Sequence, residues 1–131
     1  MTGLDTNVLV RYIMQDDPKQ SPKATRLIES LTVDAPGFIS VVCVVELFWV
    51  LSSSYRLSRA QFAQALEALL RTKELVVDRA DHVLKALRVF NATSADLADC
   101  LIERAAANAG CARTLTFDVG AAKAAGMTLI Q

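Results

Sequence analysis

The stretch Thr2-Gly3-Leu4-Asp5-Thr6-Asn7-Val8-Leu9-Val10 sets the reading of the whole chain. Thr2 to Leu4 reads as a short strand that runs into an aspartate. Asp5-Thr6-Asn7 then opens a helix from Asn7 to Met14, because a carboxylate accepts helix-terminal N–H bonds well. Asp16-Asp17-Pro18 breaks that helix. A strand that passes straight into a helix predicts a parallel sheet covered by helices.

The same alternation continues outward. Ala24, Leu27, Ile28 and Leu31 stand at i, i+3, i+4 and i+7, one helical face. Ala35-Pro36-Gly37 is a turn, Gly37 to Ser40 a second strand, and Val41 to Ser54 a helix. Ser58-Arg59-Ala60-Gln61 is a capping box. Its helix buries Phe62, Leu66, Leu69 and Leu70, and Leu75 to Val77 is a third strand. Ala80, Val83, Leu84 and Leu87 form a stripe on a helix ending near Asn91. Ala95 to Ala109 is a helix stopped by Gly110. Arg113 to Phe117 is a fourth strand, followed by a short helix closed by Gly126. Met127 to Ile130 is the last strand. The expected class is α/β: a three-layer αβα sandwich around a central, mostly parallel sheet of about five strands. Residues 1–131 are expected to form one domain.

Composition narrows the function. Of 131 residues, 53% are hydrophobic and 21% charged, with fourteen basic side chains against fourteen acidic. Disorder and low-complexity architectures are excluded. Nothing here would hold nucleic acid by bulk positive charge. Cys43, Cys100 and Cys111 form no CxxC pair, so they are expected to be reduced core residues of a cytoplasmic protein. No secretory signal is read at the first residues. The longest apolar run, Val41 to Leu51, has eleven residues and falls short of the roughly twenty that span a bilayer.

In open parallel sheets, sites lie beyond the carboxyl ends of the strands. That rule points to acids. Asp5 and Asp118 each follow a strand and read alone as helix N-caps. Glu46 is the one charge in an apolar helix expected to be buried nearly all round, so it needs a cation, a proton or a cleft. Asp96 and Asp99 share a helical face, continued by Glu103. The opposite stripe, Leu101, Ile102 and Ala105 with Ala98 and Ala109, is expected to pack on the sheet. Several carboxylates cannot all stay ionised in one dry cleft. Hard divalent cations such as Mg²⁺ or Mn²⁺ resolve this, and their natural reaction here is phosphate-ester hydrolysis.

The motifs resemble those of PIN domains, especially the VapC-like toxins of toxin–antitoxin modules. Leu4-Asp5-Thr6-Asn7-Val8-Leu9-Val10 is similar to the family's opening block. Ser40 with Val45-Glu46-Leu47 is similar to the second. Asp96-Leu97-Ala98-Asp99 is similar to the third and Leu115-Thr116-Phe117-Asp118 to the fourth. The resemblance covers essentially the whole chain in family order. It implies a metal-dependent endoribonuclease using Mg²⁺ or Mn²⁺, with Asp5, Glu46, Asp99 and Asp118 as metal-site carboxylates. Asp96 joins the site or stands behind it. Thr6, Asn7, Ser40 and Thr116 match small polar positions that orient those groups. The resemblance further implies an RNA substrate, a homodimer and a cognate antitoxin. Two departures stand out: Leu97 replaces a common aromatic, and Val119 follows Asp118 where a basic residue is frequent.

Other readings remain beside it. RNA phosphates would need local cations, with Arg11, Lys19, Lys23, Arg56 and Arg59 as candidates. A receiver-type phosphorelay domain would use Asp78 as acceptor, but Asp5-Thr6 lacks its acidic pair. An aspartyl phosphatase would want Asp-x-Asp, and Asn7 stands in the way. A PIN nuclease of RNA processing and a non-catalytic PIN binding module are the alternatives within the family. Among the aromatics, Phe38, Phe48, Trp49, Phe62, Phe90 and Phe117 fall in core-like segments, leaving Tyr12 and Tyr55 freer. His82 is expected at the surface or its boundary.

Overall fold

The computed structural model describes all residues, Met1–Gln131. The chain forms two compact units, Met1–Ala80 and Asp81–Gln131. In the first unit, strands β1 (Thr2–Gly3), β2 (Gly37–Ile39) and β3 (Leu75–Val77) form a parallel ladder with β2 in the centre. Helices α1 (Thr6–Met14), α2 (Gln20–Ser30), α3 (Val41–Ser53) and α4 (Arg59–Arg71) complete it. In the second unit, α5 (Ala80–Ala92), α6 (Leu97–Asn108) and α7 (Val119–Ala124) accompany β4 (Leu115–Thr116) and β5 (Thr128–Leu129), again paired in parallel. Helix α5 takes its first residue from the first unit. The α/β class and the five parallel strands are as expected. The strands fall into a three-stranded and a two-stranded ladder, where a single central sheet of about five was expected.

Local chemistry explains the helix starts. Five N-cap side chains accept N–H bonds from the first turn: Asp5 for α1, Ser40 for α3, Ser58 for α4, Asp96 for α6 and Asp118 for α7. The Ser58–Gln61 capping box is complete, with both reciprocal bonds made. Helix α2 has no side-chain bond from its formal cap. Asp17 serves instead, accepting from the N–H groups of Lys19 and Gln20 at 2.9 and 2.7 Å. Gly110 and Gly126, both at positive φ, follow α6 and α7 and stop them.

The first unit is held by fully buried Leu9, Ile39, Val44, Leu47, Leu51, Phe62 and Leu66. Phe62 of α4 meets the Phe48 ring of α3 edge-on, with centroids 5.1 Å apart. In the second unit, Val83, Ala86, Leu87, Phe90, Leu97 and Cys100 are buried. No helix is long and apolar enough to cross a membrane.

Several burial expectations need correction. Helix α3 is not buried all round: Val42 is 69% and Trp49 47% exposed, and Glu46 lies on that same open face. Seven residues carry a helix through almost two turns, so 42, 46 and 49 share one side. The buried stripe of α6 is Leu97, Cys100 and Leu101, whereas Ile102 is 53% exposed and Ala105 is exposed. The stripe therefore lies closer to Asp99 than expected, and Asp99 is half-buried at its border. Cys111 is exposed, unlike Cys43 and Cys100. Phe117 is 81% exposed, because β4 has already ended at Thr116.

Candidate functional site

The parallel ladder of the first unit places its strand ends together. Gly3, Phe38 and Val76 are in register. Asp5, Ser40 and Asp78 therefore lie just past one edge, where open α/β sheets carry their chemistry. A cleft of about 250 Å³ opens there, lined by Asp5, Thr6, Asn7, Val10, Glu46 and Val50. Asp5 Oδ1 accepts the Thr6 N–H at 2.8 Å. Thr6 is buried, and its hydroxyl donates to Glu46 Oε1 at 2.8 Å. The solution for Glu46 is thus an open cleft plus one hydroxyl donor, not a distant arginine.

Cys43 Sγ lies 3.3 Å from the Thr6 hydroxyl. Burial pushes the Cys43 thiol up, against the opposing Thr6 bond, and Glu46 and Asp5 push it further. A thiol held neutral is a poor nucleophile. The chemistry of this cleft belongs to its carboxylates.

In the second unit, Asp96 Oδ1 accepts the Asp99 N–H at 2.7 Å. Asp118 Oδ1 accepts from Gly120 N and Ala121 N at 2.7 and 3.2 Å. Thr116 Oγ1 in turn accepts the Asp118 N–H at 3.0 Å, fixing the turn that carries it. Burial raises the Asp99 carboxyl above its ordinary value, and Asp96 and Asp118 raise it further. The three acids therefore share one electrostatic neighbourhood.

These acids have spare coordination. Asp5, Glu46, Asp96 and Asp118 each engage one carboxylate oxygen, and Asp99 engages neither. None is ion-paired, since the three salt bridges are Arg11–Asp16, Arg71–Glu67 and Arg104–Glu103. Unneutralised hard oxygens are the donor type that Mg²⁺ and Mn²⁺ take. No three acidic, thiol or imidazole groups converge tightly enough to enclose a metal by themselves. That still fits Mg²⁺, which keeps several waters and binds through one or two carboxylates plus substrate phosphate.

The polar neighbours divide. Asn7 and Thr6 line the cleft, whereas Ser40 caps α3 by accepting Cys43 N at 3.1 Å. Arg11 is committed elsewhere: it lies 3.3 Å from Asp16 and donates to Gln20 Oε1 and the Tyr55 hydroxyl. Tyr55 closes this network by donating to Asp16 Oδ2 at 2.6 Å. That bond leads the effects holding the Asp16 carboxyl below its ordinary value. Sequence reading missed this network, because Tyr55 and Asp16 lie 39 positions apart with no motif between them. His82 is half-buried, at the boundary as expected.

The Thr6 hydroxyl yields a first prediction. Thr6→Val keeps the branched shape but removes the donor to Glu46. Stability should fall by about 0.5–1.5 kcal/mol, since the carboxylate lies in an open cleft and water replaces the donor. Urea unfolding checks this. A loss above about 3 kcal/mol would mean that Glu46 is buried after all.

The PIN domain family model matches residues 4–127 of the chain. No curated protein matches it.

Proposed function

Because the chain belongs to the PIN domain family, a family of metal-dependent nucleases, we propose that it is an endoribonuclease using Mg²⁺ or Mn²⁺, the toxin of a toxin–antitoxin pair. The observation that carries this reading is the set of carboxylate oxygens left without hydrogen bond or ion pair on Asp5, Glu46, Asp96, Asp99 and Asp118. The family resemblance names Asp5, Glu46, Asp99 and Asp118 as the metal acids, with Asp96 beside Asp99; one or two of them would bind the cation directly and others through its waters. When bound, such a cation activates water and stabilises the oxygen that leaves phosphorus.

The chain's own residues supply position. The Thr6 hydroxyl holds one Glu46 oxygen and leaves the other for ligation. The cap bonds of Asp5, Asp96 and Asp118 fix each carboxylate at a helix start. A fixed ligand costs no reorganisation during the reaction. The exposed Phe117 ring stands beside Asp118 and offers a stacking face to an unpaired base. That supports single-stranded RNA as substrate. The reading includes a homodimer, for which the exposed Val42 and Trp49 of α3 are available apolar surface.

The test is cleavage of a mixed single-stranded RNA by purified, antitoxin-free chain. Parallel reactions contain Mg²⁺, Mn²⁺ or EDTA, and a DNA strand of the same sequence. Cutting of RNA with either metal, lost in EDTA, is the expected result. Metal-independent cutting would reject the carboxylate site. Failure on mixed RNA, tRNA and ribosomal RNA fragments alike would reject the ribonuclease reading.

A further inference from the structure

A second polar cleft lies entirely within the second unit, away from the motif acids. His82 and Lys85 of α5 and Arg104, Ala107 and Asn108 of α6 line about 210 Å³. None of these lining side chains is acidic. Lys85 has no ion pair. Arg104 spends its Nε on Glu103 at 2.6 Å, which leaves both terminal guanidinium nitrogens without a partner. His82 Nδ1 is buried with no hydrogen-bond partner. A proton there would be a buried donor with no acceptor, which is costly. A ring with its proton on Nε2, its other nitrogen, avoids that cost.

We propose that this cleft binds a phosphate group. The guanidinium fork, the ammonium, the imidazole Nε2–H and the Asn108 amide are all donors, and a tetrahedral oxyanion offers several acceptors at once. A guanidinium forks onto phosphate oxygens, while lysine adds a point charge. The volume has room for several waters and lies below the usual range of organic-ligand pockets. It suits an oxyanion with its waters. The lining carries two cations and no carboxylate, a local positive charge that an anion offsets. The phosphate would be a backbone group of the RNA strand. That source, though not the site, rests on the ribonuclease reading above.

His82 is the single histidine of the chain, so its ring proton is a built-in probe. The whole chain is kept in EDTA, where no metal-dependent cutting interferes. NMR follows the ring while inorganic phosphate, then RNA with a 5′-hydroxyl, then RNA with a 5′-phosphate is added. The expected result is a saturable shift with phosphate and with both RNAs. The Lys85→Ala and Arg104→Ala variants should each weaken RNA binding by about tenfold and lower the salt slope by about one. Asn108→Asp, which adds a carboxylate without changing size, should abolish the shift. A response to phosphate and 5′-phosphorylated RNA alone would support the site and assign it a terminal phosphate. A ring signal unmoved by every probe, or moved equally in the variants, would overturn the proposal. RNA cutting with a silent ring rejects this site alone, whereas a responsive ring without cutting rejects the ribonuclease reading alone.

Discussion

Asp99→Asn is expected to lower metal-dependent RNA cleavage by about 10²–10³-fold, the usual cost of removing one preorganised electrostatic group. The same variant should be more stable than the parent at neutral pH. Burial, then Asp96 and Asp118, hold the Asp99 carboxyl above its ordinary value. The folded chain therefore binds a proton there that the unfolded chain has already released. Stability falls as pH rises from the ordinary carboxylate range through the raised value, and it stays reduced above. The amide carries no charge and removes that penalty. Like charges on neighbouring side chains cost roughly 0.2–0.5 kcal/mol per pair, so two neighbours correspond to a Tm gain of roughly 1–5 °C.

The gain should vanish well below the ordinary aspartate value of about 3.9, where the Asp99 carboxyl is protonated in both the folded and the unfolded chain. Divalent metal should reverse the order, because a ligand that binds the folded state stabilises it. Parent Tm should rise with Mn²⁺, and variant Tm should rise less. Thermal scans at two pH values, with and without metal, check all of this without a nuclease assay. A variant less stable than the parent at neutral pH in EDTA would contradict the repulsion argument. A metal shift unchanged by the substitution would remove Asp99 from the ligand set.

What the sequence could show was local. Each N-cap depends on residues within three positions, and the caps at Asp5, Ser58 and Asp118 were legible, whereas Ser40 was read as the end of a strand and Asp96 as lying inside its helix. The strand–helix alternation was equally legible, with boundaries within a few residues. The environment of Glu46 was not. Ten apolar neighbours argue for burial, yet which side of α3 stays open is decided by what packs on it. Its hydroxyl partner Thr6 lies 40 positions away. The α6 stripe failed for the same reason: Leu97, Cys100 and Ile102 are equally apolar, and tertiary packing selects the first two. The α5–α6 cleft left no trace either, because no spacing pattern joins His82 to Arg104.

Two phenylalanines give the sharpest contrast between composition and environment. Phe62 is fully buried against Phe48, on the helix that packs on α3. Phe62→Ala should cost about 3–5 kcal/mol, a large share of the 5–15 kcal/mol typical of a whole domain. Tm should drop by more than about 10 °C. The loss would reach function, because α3 presents Glu46 to the cleft and would lose the edge-to-face contact that seats it. Phe117→Ala removes the same ring from an 81% exposed position. Unfolding should change by no more than about 0.5 kcal/mol. RNA affinity, measured in EDTA, should fall by about 5- to 150-fold if one base stacks on the ring. Unchanged affinity would strip Phe117 of its stacking role, while strong destabilisation would show that the ring is packed in the folded chain. A single pair of variants thus separates what an aromatic does for the fold from what it does for the substrate.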